Sequence, residues 1–313
     1  MALTAEKAKR LETIARLYYE QGKTQDEIAR LARVSRPLIS RLLREARDAG
    51  IVEIRVRSPQ ERGALLQNQA RNFFGLRGVS PLPRDAEDSV TNQKLAQASL
   101  DFMREQGGGR IGLGWGHVVG ALVRILESRE PANDVITDVC PMVGNSGVSI
   151  RYYHSNENVR IVAHHARAVP HFLHTPAFAE TRHDMELLQQ TENYRSVARE
   201  WERLDIALVN IGNHPSSPDF ASFARYGNLL AERRAVGRLI AYYYTREGEI
   251  IYSDRDYAIQ IPIASLAKSR HVAGVCSANC TPASLVGALR TGLLTHLIAP
   301  DDLLERTLAF ATS

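Results

Sequence analysis

Leu11, Ile14, Ala15 and Tyr18 recur at i, i+3, i+4 and i+7, the single apolar stripe of an amphipathic helix. Gly22 ends that stripe, as a residue tolerant of left-handed backbone does. Thr24-Gln25-Asp26-Glu27 then places a threonine three residues before a glutamate, the capping box that opens a new helix. This second helix is short, with Ile28, Ala29, Leu31 and Ala32 expected on its buried face. Arg33-Val34 forms a turn, Ser35 is placed to cap a third helix, and Pro37 fits a first turn whose N–H has no helical partner. Ile39, Leu42, Leu43 and Ala46 repeat the stripe and Gly50 stops it. Ile51 to Arg57 alternates apolar and polar, the period of a short strand or wing.

Residues 58–92 read as connective: Ser58-Pro59 breaks the pattern, Ala64 to Phe74 can form a helix suited to oligomerisation, and Pro81-Leu82-Pro83 is extended. From residue 93 onward the period switches repeatedly between strand and helix. Strands are predicted at 111–114, 135–140, 168–173, 206–211, 272–276 and 297–299, with helices near 94–106, 118–126, 157–166, 183–202, 282–291 and 301–311. A β-rich stretch, Leu239 to Tyr252, contains Arg246-Glu247-Gly248-Glu249 as a hairpin turn. Strands separated by helices imply a mostly parallel sheet covered on both faces.

Composition turns these elements into two domains with different partners. The chain has 313 residues, more than one ordinary domain holds, and 44% of them are apolar, enough for a large core. Residues 1–57 hold 13 Lys+Arg against 8 Asp+Glu, while the remainder holds 26 against 27. The excess positive charge therefore sits in the small domain, which is the part expected to meet a polyanion. The outer face of its third helix carries Arg36, Ser40, Arg41, Arg44 and Arg47. A short helix, a tight turn and a longer helix with a basic outer face is the helix-turn-helix pattern, whose second helix enters the major groove of double-stranded DNA. Ser35, Arg36, Pro37, Ser40 and Arg41 lie near the end that reaches base edges, Arg44 further along suits a phosphate, and Thr24 and Gln25 open the preceding helix toward the backbone. No apolar run approaches the ~18 residues a membrane span needs, and MALTAEKAKR is no signal peptide, so the expected location is cytoplasmic with no membrane partner. Cys140, Cys276 and Cys280 are too few and too scattered for a disulfide framework.

Ligands of parallel α/β sheets bind beyond the carboxyl ends of the strands. The loops there are Gly114-Trp115-Gly116-His117, Met142-Val143-Gly144-Asn145, Ile211-Gly212-Asn213 and Ser277-Ala278-Asn279. The first opens directly onto a helix, whose free N–H groups favour a phosphate or carboxylate. Trp115 is either a wall for a sugar ring or a core side chain. Cys276-x-x-x-Cys280 matches no common zinc spacing, and the histidine-rich stretch 154–174 forms no joint metal site. Gly112-x-Gly114-x-Gly116 is out of register for a dinucleotide loop, so no cofactor is expected.

Taken in order, TQDEIARLARVSRPLISRLLREARDAGIVEI, IGLGWGHVVGALVRIL, HTPAF, DIALVNIG, GRLIAYYYTREGEII and ALRTGLLTHLIAPDDLLERTL make the whole chain resemble the SorC family of bacterial transcriptional regulators. The resemblance implies an α/β protein: a winged helix-turn-helix over 1–57, a linker or oligomerisation segment over 58–92, and a Rossmann-like, sugar-phosphate-isomerase-like effector domain over 93–313. It implies a homotetramer, a repressor more often than an activator, and a sugar-phosphate effector. Carried over by position, Gly114 to His117 lie at the phosphate, and Gly144-Asn145 and Gly212-Asn213 along the ligand. Near Asn279, Thr281 stands where the family shows the lysine of Gly-Gly-x-x-Lys, and His117 where it commonly shows threonine. Losing a lysine removes a full charge from the site. Either a protonated His117 replaces part of it, or the effector is less charged, such as an unphosphorylated sugar, polyol or small acid. The competing function is a sugar-phosphate isomerase-like enzyme with an appended DNA-binding module. Asp138, Glu180 and Asp184 are its acidic candidates, but none lies in the Gly/Asn loops, so no catalytic residue is expected.

Overall fold

The apolar stripes of the first fifty residues fold into three helices in the computed structural model, which describes residues 4–53, 59–132, 135–216 and 222–312. They are α1 (Ala5–Tyr19), α2 (Gln25–Ala32) and α3 (Arg36–Asp48). Leu11, Ile14, Ala15, Ile28, Ala29, Ile39, Leu42, Leu43 and Ala46 close one small core. Thr24 and Glu27 form the reciprocal capping box, and Arg33 turns the chain out of α2 at φ 52°. Leu31 departs from expectation: it is 62% exposed, and Ala32 is exposed as well. An eight-residue helix buries only one turn of its stripe, here Ile28 and Ala29. Ile51 to Glu53 form no strand, and the rest of the expected wing, 54–57, lies outside the described residues.

The chain divides into two compact units, Met1–Gln60 and Glu61–Ser313. The second is built on ten strands: β1 Gly78–Leu82, β2 Gly109–Leu113, β3 Ile136–Pro141, β4 Val169–Pro170, β5 Ile206–Asn213, β6 Ala235–Leu239, β7 Tyr242–Thr245, β8 Ile250–Ile251, β9 His271–Cys276 and β10 His296–Pro300. Seven run parallel in the order β1-β10-β9-β5-β2-β3-β4. The antiparallel β6, β7 and β8 extend from the far end of β5. Strand residues alternate between two cores, one on each face: Ala207, Val209 and Ile211 enter one, Ile206 and Leu208 the other. Burial on both faces is why these strands read as nearly unbroken apolar runs. The expected 183–202 helix is two, Arg182–Gln190 and Glu192–Trp201, because Thr191 caps the second.

The segment read as a linker is not one. β1 pairs with β10 at the sheet edge, and Leu66, Ala70, Leu76 and Val79 are part of the main core. Pro81 and Leu82, expected to be extended, end β1, and an edge strand tolerates proline because one side of its ladder is open.

At the amino ends of β9 and β10, the rings of His271 and His296 lie 5.1 Å apart beside Phe102. Neither ring nitrogen of His271 has a hydrogen-bond partner among the described residues. Burial, His271 and Arg77 push the His296 imidazole down to about 4. A histidine depressed in this way binds its proton earlier in the unfolded chain. Its stabilising contribution is complete above the unfolded value of about 6.5 and is lost as pH falls toward 4. Urea unfolding is therefore expected to show a loss of about 1–2 kcal/mol between pH 7 and 4.5, reduced from the full linkage value by partial solvent screening. His296→Phe should flatten that slope; an equal slope in the variant would assign the effect elsewhere.

Candidate DNA-reading face and effector cleft

In the small unit, Ser35 occupies the N-cap position of α3 without a capping side-chain bond, and it is exposed together with Arg36, Pro37, Arg41 and Arg44. Ser40 is half-buried. Arg36 Nε lies 3.8 Å from Asp26, and Arg41 Nε lies 3.8 Å from Glu45, which also holds Lys7 at 2.9 Å. Exposed pairs of this kind are weak and break readily for a stronger anion. Thr24, Gln25, Lys23, Asp26 and Arg36 border one groove of about 630 Å³ with Tyr18, Tyr19 and Gly22. The Thr24 hydroxyl accepts from Glu27 N at 3.3 Å and donates to Glu27 Oε2 at 2.8 Å. These bonds fix the start of α2, where Thr24 is exposed and Gln25 half-buried.

In the large unit, β2 continues to β3 on one side, whereas β5 leads through the β6–β8 hairpins to β9 on the other. β2 and β5 therefore flank the topological switch point, where such sheets open a cleft. Three of the four Gly/Asn segments follow β2, β3 and β9 as loops, whereas Ile211-Gly212-Asn213, expected as a loop, is the carboxyl end of β5 itself, paired with β6; the four strands are neighbours in the sheet.

Gly116 carries φ 122°, and a Cβ there would lie 2.9 Å from Asn210 Cγ, so glycine permits both the turn and the Asn210 side chain. His117 begins the Val118-containing helix His117–Glu127 and packs its ring 5.2 Å from that of Tyr152. Burial, Arg238 and Arg124 hold the His117 ring below its ordinary range, which favours its neutral form in the unliganded protein. Trp115 is core rather than sugar wall: it is 3% exposed and packs on Tyr153 and Phe178. Its indole N–H donates to Ile240 O at 3.4 Å. Ile240 sits at φ 57°, a conformation unusual for a β-branched residue, at the tip of the β6–β7 hairpin. Arg225 Nη2 donates to Ala241 O at 3.3 Å and Ala241 N to Gln260 Oε1 at 3.0 Å, so three side chains hold this strained tip.

The remaining loop residues hold the cleft's frame. Asn145 N donates to Thr175 O, its Oδ1 accepts from Asn156 N at 3.2 Å, and its amide reaches Leu173 O. A Cβ on Gly144 would meet Pro176 O at 2.2 Å. Asn213 Nδ2 donates to Asn279 O at 2.9 Å and its Oδ1 accepts from Thr281 N at 3.0 Å. Thr281 caps the helix Pro282–Arg290, and Asn279 Oδ1 accepts from Ser277 at 2.7 Å. Gly114 N extends the strand pairing to Leu208 O. The same strand ends also bring together three residues that sequence reasoning missed: Asn210 beside Gly116, Arg238 beside Gly212, and Tyr153, which hydrogen-bonds Arg238. Asn210 and Arg238 had a signal, as single polar residues inside the apolar runs IALVNIG and GRLIA.

Asp138, His171 and Glu200 bring one ligand atom each within 4.8 Å of one another. His171 Nε2 lies 3.0 Å from Asp138, while Arg110 stands 3.6 Å from Glu200 and Arg203 bonds its other oxygen. Burial opposes the charge of Asp138, and bonds from His171 and Thr137 outweigh it, leaving its pKa below the usual carboxylate value. Both arginines pair with Glu200, and Asp138 is held by His171 and the Thr137 hydroxyl, so the cluster is an ion-pair and hydrogen-bond network. Asp184, another acidic candidate, accepts from the Thr181 hydroxyl at 2.6 Å at a helix start, not in the cleft. Cys140, Cys276 and Cys280 are free and buried.

Residues 58–308 match the family model described as "Putative sugar-binding domain". The sorbitol operon regulator of Klebsiella pneumoniae is 28% identical over 309 residues, covering 93% of this chain and 95% of that one. The deoxyribonucleoside regulator of Bacillus subtilis strain 168 is 25% identical over 307 residues, covering 94% and 95%. The crystal structure of the full-length Klebsiella regulator superposes with TM-score 0.70 at 26% identity over 97% of this chain and 100% of that one.

Proposed function

The chain belongs to the SorC family of bacterial transcriptional regulators, and from that premise we propose that it is a sugar-responsive regulator that reads an operator with α3 and binds its effector at the carboxyl edge of the sheet. One observation carries this reading. The carboxyl ends of β2, β3, β5 and β9 converge around the switch point of a sheet whose chain also bears an exposed basic helix-turn-helix. Arg36 and Arg41 read bases, Ser35, Ser40 and Arg44 support them, and Gln25 meets the backbone. Gly114, Gly116 and His117 form one wall of the cleft. Gly144, Asn145, Gly212, Asn213, Asn279 and Thr281 keep its rim in place. No helix among the described residues is long and apolar enough to cross a membrane.

The effector shifts operator affinity only by as much as it distinguishes operator-competent from incompetent arrangements of the homotetramer. Fluorescence anisotropy on the native promoter, with and without sugars, sugar acids and sugar phosphates, tests this. Preference for the promoter over scrambled duplex, altered by at least tenfold by one compound, is the expected result. Equal binding to both duplexes under every condition would end the reading. Sedimentation of the same samples reports the tetramer, and run-off transcription reports whether the protein represses.

A further inference from the structure

The cleft holds a buried cation whose partners come from both sides of the switch point. Arg238 is 8% exposed and pairs in register with Gly212 across β5 and β6. A Cβ on Gly212 would lie 3.2 Å from Arg238 Cγ and 3.3 Å from its Nε, so the bare glycine lets the side chain cross the end of β5. Its Nη1 donates to Ser216 Oγ at 2.9 Å, and it also hydrogen-bonds Tyr153, on the β3 side. His117, at the end of β2, lies within reach of its charge. On the other rim, Thr281 supplies no charge: its hydroxyl accepts from Ser284 N at 3.2 Å and its own N–H donates to Asn213.

Resting on the reading that this edge is the effector site, we propose that the effector is a polyhydroxy acid whose carboxylate is received by Arg238. A guanidinium matches a carboxylate fork to fork and holds it in fixed orientation. The balance of charge selects the carboxylate over a phosphate. With residue 281 a threonine and the His117 ring held below its ordinary range by burial and by Arg238, a dianion would bring a second charge into a half-buried site, and burying an uncompensated charge is costly. Arg238 thereby determines specificity from β6 rather than from position 281.

The test is thermal shift and calorimetry on the full chain with C4–C6 aldonates and uronates, the matching neutral sugars and polyols, and their phosphates. At least one acid is expected to raise Tm by several degrees and to alter promoter binding, while its neutral and phosphorylated counterparts do neither. Arg238→Gln should weaken that acid by about 100-fold and Arg238→Lys by less, with the Tm of the unliganded variants and their promoter binding confirming folding. Thr281→Lys, which leaves Arg238 in place, should move preference toward sugar phosphates by at least tenfold. Stabilisation by a neutral sugar or a phosphate equal to that by the acids, acid binding unchanged in Arg238→Gln, or no shift with any acid would each overturn the proposal. The first two outcomes leave the sugar-responsive reading standing. That reading fails separately, on loss of promoter preference.

Discussion

Gly144→Ala is expected to destabilise the large unit by about 3 kcal/mol or more, the upper range for overpacking a rigid site. The added methyl would sit 2.2 Å from Pro176 O, 2.5 Å from Pro176 C and 2.8 Å from Ala177 N. All three are backbone atoms, so no rotamer change relieves the contact. Shifting the 175–177 segment would break the bonds from Asn145 N to Thr175 O and from Ala177 N to Asn145 O, at 2.9 and 2.8 Å. Moving residue 144 instead would break its N–H bond to Ile259 O and the Ser155 hydroxyl bond to its carbonyl. Gly147, three residues on, has nothing within 4 Å of its Cβ position, and Gly147→Ala serves as the control with a change below about 0.5 kcal/mol. Urea titration followed by circular dichroism measures both. A loss under about 1 kcal/mol for Gly144→Ala would show that the segment yields easily and that the glycine is not there for close approach.

That prediction also marks where sequence reading stops. Periodicity and capping are local, so the three helices and the Thr24–Glu27 capping box were legible, whereas the exposure of Leu31 and Ala32 was not. The parallel sheet was legible because both its faces are buried, and the Gly/Asn loops because glycine and asparagine concentrate where strands end. What those side chains do was not legible. An asparagine amide can face a ligand or the backbone, and Asn145 and Asn213 face the backbone. Trp115 was undecided until the packing of Tyr153 and Phe178 around it was known. Arg238 enters the cleft only because β6 pairs antiparallel to β5, a long-range register that composition does not encode. The place of β1 in the sheet was hidden for the same reason, since only its long-range pairing with β10 makes residues 78–82 an edge strand.

Arg41→Ala is expected to cost about 1–3 kcal/mol on the operator and little on random duplex, the signature of a bidentate contact to a base edge. Arg41 lies in the second turn of α3, on the side away from the core residues Ile39, Leu42 and Leu43, and its side chain is 70% exposed. Its partner Glu45 also bonds Lys7, so the carboxylate keeps a cation when Arg41 leaves for DNA. Releasing the arginine thus strands no charge, and the exposed pair it gives up is worth well under about 1 kcal/mol. Arg36, at the first position of the same helix and 65% exposed, is in an equivalent state against Asp26. The double variant should lose about 2–6 kcal/mol on the operator if the two contacts act on separate base pairs. Arg44→Ala, by contrast, should weaken operator and random duplex alike and lower the salt slope by about one, as a phosphate contact does. Anisotropy titrations across a salt series separate the two behaviours. Equal losses on operator and random duplex for Arg41→Ala, with a matching drop in slope, would move Arg41 from the bases to the backbone and leave Arg36 as the reader.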